Sequence, residues 1–92
     1  MKFTTTTKIA RNKKTIFKEV GNTVYILDTT NTTIHTLNET ASFIWKLAQK
    51  PVDLDTIVER VCEEFNVDRA KALNDIKEFV NKYIQQRYLK IT

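Results

Sequence analysis

The chain has 92 residues, of which 41% are hydrophobic and 28% charged, with one cysteine, one glycine and one proline. This is the composition of one small globular domain with a limited core. No apolar run approaches the ~18 residues that span a bilayer, the opening MKFTTTTKIARNKK lacks the apolar centre of a secretory signal, and a lone cysteine forms no internal disulfide. A cytoplasmic protein without a membrane partner is expected, and neither a metal nor another cofactor is implied. The net charge of +4 is unevenly placed: residues 1–20 carry +5 and residues 51–92 carry −1. The excess therefore belongs to a basic arm, expected to be flexible over residues 1–14, ahead of a near-neutral domain over residues 15–92.

The first dozen residues show no sustained period and no turn chemistry. Residues 15–20 (TIFKEV) are rich in β-branched and aromatic side chains and predict a strand. Gly21-Asn22 suits a two-residue hairpin turn, because glycine accepts positive φ without steric cost. Residues 23–28 (TVYILD) return as the second strand. A two-residue turn sets Phe17 opposite Ile26 and Ile16 opposite Leu27, so apolar side chains meet across the pair. Asp28-Thr29-Thr30-Asn31 supplies the next turn and residues 32–37 the third strand. Asn38 then caps a helix that follows without a loop, with Ala41, Ile44, Trp45 and Ala48 at helical spacing.

Lys50-Pro51 breaks the chain and Asp53 caps a second helix. Its residues Leu54, Ile57, Val58, Val61, Cys62 and Phe65 form an amphipathic stripe. After Asn66-Val67, Asp68 caps the longest helix, expected from Arg69 to about Arg87. Leu73, Ile76, Val80 and Ile84 make one stripe on it, and Ala72, Ile76, Phe79 and Tyr83 make a second. Together they cover more than one neighbouring helix needs, so part of the face is free to wall a groove. Residues 88–91 form a tail that packs back. The order, three strands then three helices, predicts an α+β domain with helices gathered against one antiparallel meander.

Catalytic chemistry finds little support. His35, the one histidine, sits within a strand, with no nucleophile signature to serve; a ring that packs or hydrogen-bonds is expected. Cys62 lies on an apolar stripe and behaves there as a small hydrophobe. One glycine builds no phosphate-cradling loop. An enzyme is not expected.

Binding has two supports. The third strand is an edge of the meander, and residues 32–37 contain no proline, lysine or acid, the usual blockers of an open edge. The third helix has surplus apolar surface at Ala72, Phe79 and Tyr83. If the two adjoin, an extended peptide adds as a fourth strand, with alternate side chains in the groove. The alternatives are that the tail or the basic arm covers both features, or that the edge forms a homodimer.

Three segments together resemble a known family: Leu37-Asn38 followed by Ala41, Ile44 and Trp45; Asp53-Leu54 with Ile57; and Asp75-Ile76, Phe79-Val80 and Tyr83 leading to Tyr88-Leu89. In this order they are similar to the PqqD-like family, the recognition elements for precursors of ribosomally made, modified peptides (RiPPs). The resemblance covers residues 15–91. It implies a winged-helix-like fold, three strands followed by a three-helix bundle. It also implies a non-catalytic role, capturing the leader segment of a precursor peptide and presenting it to a separate modifying enzyme or leader protease. Carried over by position, the peptide-binding strand is Thr33, Ile34, His35 and Thr36, and the helix wall is Ala72, Asp75, Ile76, Phe79 and Tyr83.

Three positions depart from the family pattern. Gln49-Lys50-Pro51 replaces the frequent Asp-Gly turn, and Tyr83 stands where leucine is common. Arg87 stands where glycine is usual, which implies a longer third helix. Hallmarks of the quinone-cofactor branch are missing, so a stand-alone protein of a lasso-peptide or related pathway is implied. The alternatives are a winged-helix DNA-binding protein and a dimerisation module. The pI of 9.3 favours the former, but acids interrupt the basic residues of the third helix, unlike a helix that enters a major groove. Nucleic acid is therefore the less favoured partner.

Overall fold

The protein is described, over residue 4 and residues 6–92, from a computed structural model. In chain order it forms β1 (Lys8–Arg11), β2 (Ile16–Val20), β3 (Thr23–Asp28), β4 (Thr33–Thr36), α1 (Glu39–Leu47), β5 (Val52–Asp53), α2 (Leu54–Phe65), α3 (Arg69–Gln85) and β6 (Leu89–Ile91). Among the described residues these elements make an α+β fold of two three-stranded antiparallel sheets and three helices, one sheet ordered β2-β3-β4 and the other β5-β1-β6.

The first sheet is the expected meander. Gly21 takes φ +63° in the two-residue turn, and Phe17 pairs with Ile26 and Ile16 with Leu27. Its inner face carries Val24 and Ile26, both wholly buried. Trp45 of α1 packs edge-on to Phe17 with ring centroids 5.3 Å apart. All three anticipated caps form. The side chains of Asn38, Asp53 and Asp68 accept from the backbone N–H of Ala41, Thr56 and Lys71, respectively. Each satisfies an N–H that the helix itself leaves free. The α2 stripe is buried at Leu54, Ile57, Val58 and Val61.

The second sheet corrects one expectation. The flexible arm predicted over residues 1–14 is a strand at Lys8–Arg11, with Ile9 wholly buried; residues 1–3 and 5 lie outside the described residues. β1 is held in place by partners far along the chain, pairing Ile9 with Val52 on one side and with Ile91 on the other. Arg11 fastens it to the end of α1: its backbone N–H donates to the Ala48 carbonyl and its Nε to the Trp45 carbonyl at 2.8 Å. A cation there also suits the negative end of the helix dipole. The guanidinium lies 4.7 Å from the Phe17 ring centroid, and burial lowers its pKa.

The third helix is shorter than expected. It ends at Gln85, Gln86 caps it, and Arg87 turns into the left-handed region at φ 67°. The departure from glycine at position 87 thus leaves the turn in place and puts an arginine in a glycine conformation. Beyond it the tail packs back as expected, with Tyr88 and Leu89 buried and residues 89–91 paired to β1.

Candidate functional site

β4 is the outer strand of its sheet and ends directly at the cap of α1. Its main-chain groups are sorted by the ladder. The Leu37 N–H donates to the Val24 carbonyl at 2.9 Å. Antiparallel pairs alternate between bonded and non-bonded, so His35 turns its main chain to Ile26, while Ile34 and Thr36 present theirs to the open edge.

A feature invisible in the sequence locks this joint. Ser42 of α1 is almost wholly buried. Its Oγ accepts from the Val24 N–H at 3.0 Å and donates to the Leu37 carbonyl at 3.1 Å. The hydroxyl thereby stands in for a ladder bond between β3 and the end of β4. At the other end, Asp28 organises the turn. Its Oδ1 accepts from the N–H groups of Thr30 and Asn31, and its Oδ2 from Asn31 Nδ2 and from the Tyr88 hydroxyl at 2.9 Å. These bonds, led by the Asn31 N–H, hold the Asp28 carboxyl below its usual pKa. Burial and then the Asp28 carboxylate push the Tyr88 phenol up to about 12.

Beneath the sheet an aromatic series runs from α3 to β4. Phe79 lies on Tyr83 at 4.2 Å between centroids, Tyr83 meets Tyr88 edge-on at 5.5 Å, and Tyr88 meets His35 at 5.6 Å. His35 thus packs its ring against Tyr88. Beside this series, Asn38, Ala41 and Ile44 of the β4–α1 joint face Asp75, Ile76 and Phe79 of α3 across an open groove. The groove continues along α3 past Ala72 toward Val61 and Val67. A second recess opens at the Asp28–Thr33 turn, lined by His35, Tyr88, Lys14 and Arg87 among others.

The nine anticipated site residues therefore divide. Thr33, Ile34, His35 and Thr36 form β4, and Ile34 is 67% exposed. Asp75, Ile76 and Phe79 line the groove; Asp75 is exposed, Phe79 half-buried, and Ile76, at 2% exposure, is a core residue that only floors it. The surplus apolar surface expected at Ala72 and Tyr83 is corrected: they are 4% and 9% exposed and belong to the core. One flank of α3 packs on α2 and another meets β6, which absorbs most of its wide apolar face. The exposed side of α3 mixes Asp75 and Glu78 with Lys77 and Lys82. Among the described residues no group of three or more His, Cys, Asp or Glu is placed to hold a metal, and no helix is long and apolar enough to cross a membrane. Cys62 is half-buried against the core.

The fold and site together define a winged-helix-like α+β domain with an open strand edge beside a helix groove. The family described as PqqD, coenzyme PQQ synthesis protein D, matches residues 23–89, well over half of the sequence, and the chain belongs to that family. A solved structure described as TbiB1 in complex with the TbiA(beta) leader peptide has the same fold, with a TM-score of 0.77 and 22% identity over 87% of this chain and 93% of that one. No curated protein matches the sequence.

Proposed function

We propose that this protein is a non-catalytic peptide-binding module that captures the leader segment of a ribosomally made precursor peptide. The leader adds as a strand to β4, residues Thr33, Ile34, His35 and Thr36, and the module presents it to a separate modifying enzyme or leader protease. The observation that carries this is the open β4 edge, with the main chain of Ile34 and Thr36 turned outward, leading at Asn38 into the groove walled by Phe79. Main-chain bonds along such an edge supply affinity, and alternate side chains entering the groove supply selectivity. Membership of the PqqD family supports the reading. So does the leader peptide bound to the similarly folded TbiB1. The helix wall is Asp75 and Phe79, with Ile76, Ala72 and Tyr83 as its buried backing. The proposed setting is a cytoplasmic peptide-modification pathway of the lasso-peptide kind.

The test is NMR titration of the labelled protein with leader peptides of precursors encoded beside its gene. Amide shifts concentrated at residues 33–36 and along α3 are expected. Ile34→Pro removes an outward N–H and bends the strand, and should abolish those shifts. Unchanged affinity of Ile34→Pro, or leader-induced shifts confined to other surfaces, would refute strand addition at β4.

A further inference from the structure

The outer face of the meander departs from the pattern of a sheet with one solvated side. Antiparallel sheets that bury one face are normally polar on the other. Here Ile16, Leu27 and Ile34 lie directly opposite one another across β2, β3 and β4, at 53%, 42% and 67% exposure. They form one apolar row perpendicular to the strands, and its most exposed member stands at the open edge. The adjacent row, Lys18, Tyr25 and Thr36, is polar at its edge. The apolar character of the outer face thus reaches the edge at Ile34 and stops there.

We infer that the added leader strand is read on its outer face as well as in the groove, and that its residue opposite Ile34 is apolar, continuing the row Ile16-Leu27-Ile34. This rests on the strand addition proposed above. The Ile34 main chain faces the open edge, so a strand bonded there sets one residue directly across from it. That residue points to the same face as Ile34, with Cβ atoms about 4.5–5.5 Å apart. Its two neighbours point inward, toward the His35 and α3 side. The next outward residue sits opposite Thr36, at the polar end of the Lys18-Tyr25-Thr36 row, where a polar side chain is accommodated. The selectivity motif is therefore two-faced: inward positions chosen by the groove, and between them an outward apolar position chosen by Ile34. Cross-strand pairs of this kind shift affinity modestly, so alanine at that leader position should weaken binding roughly 1.5- to 5-fold.

The experiment selects displayed random peptides, long enough to span β4, against the wild-type protein and against Ile34→Glu. The glutamate variant alters an exposed side chain and keeps the main-chain donors. NMR of the selected peptides in complex then identifies the residue opposite position 34 by its cross-strand contacts. Apolar residues opposite Ile34 in the wild-type pool, replaced by Lys or Arg in the Ile34→Glu pool, are the expected result. If the peptides shift the Ile34 and Thr36 amides but the opposite residue is random and alike in both pools, the outer-face readout is overturned and strand addition stands. A pool that yields no peptide shifting those amides overturns both.

Discussion

Replacing Ser42 by alanine removes a hydroxyl that joins three elements at once. In the native fold its oxygen accepts from the Val24 N–H and donates to the Leu37 carbonyl, at 3.0 and 3.1 Å, and both bonds are buried. Alanine leaves both backbone groups without a partner, and each buried group so stranded costs ~1–3 kcal/mol. Alanine's better helix propensity returns ~0.5 kcal/mol, and some closure of the strands returns a little more. A net loss of about 1–5 kcal/mol follows from these terms. A chain of this length has a total stability of about 5–14 kcal/mol, so the loss is readily visible. Urea unfolding should show a lower midpoint with an unchanged slope. Hydrogen exchange should report faster exchange at the Val24 amide in particular. A loss below about 0.5 kcal/mol, the level of an ordinary surface change, would refute the role given to Ser42. It would mean that the two strands close the gap on their own.

Three further changes follow from the same geometry. Phe79→Ala should weaken leader binding about tenfold or more, as an aromatic anchor does, while lowering stability by no more than about 2 kcal/mol because the ring is half-buried. Calorimetric titration and urea unfolding measure the two, and loss of the folded state would place Phe79 in the core instead of the groove wall. Arg87→Gly relieves a left-handed conformation costing ~1–2 kcal/mol and loosens the unfolded chain by part of that, for a net gain of about 0.5–1 kcal/mol. A lower urea midpoint would show that side-chain contacts of Arg87 outweigh its backbone strain. The Tyr88–Asp28 bond predicts two limbs in stability against pH. The folded phenol titrates at about 12 against an unfolded value of 10.0, so its contribution is complete below pH 10 and is lost as pH rises from there through 12. The Asp28 carboxyl titrates below 3.8 when folded, so its contribution is present above that value and is lost as the pH falls through the folded one. Thermal melts of Tyr88→Phe should be flatter than wild type above pH 10, and an unaltered alkaline limb would assign it to other groups.

Features written in local chemistry were legible in the sequence. The Gly21-Asn22 turn set the Phe17–Ile26 register, and Asn38, Asp53 and Asp68 announced three helix starts, because each acts on backbone within a few residues. What was not legible depends on distant partners. Lys8–Arg11 contains only two apolar residues between cations, too short for a period, and becomes a strand because β5 and β6 flank it. Ala72 and Tyr83 carried the right spacing for a groove wall, but spacing does not say which flank of a wide apolar face meets a neighbour, and β6 was not foreseen. Ser42 gave no signal, since a serine in the second turn of a helix ordinarily faces solvent. For the candidate site, β4 and Phe79 were accessible to reasoning from an edge strand, whereas the division of α3 between core and groove was not.

The pairing of Ile9 with Ile91 has a consequence for when the molecule becomes whole. The meander and the three helices make contacts among near neighbours in the chain and can assemble as they leave the ribosome. β1 has to wait. It is complete only after the final turn at Arg87 has delivered β6, and closing so long a loop carries an entropic penalty that short-range elements escape. Tyr88, which holds the Asp28 turn ahead of β4, arrives in the same last step. The open edge of β4 is therefore braced at its leading end only once β6 has been made and docked, well after the strand itself has formed.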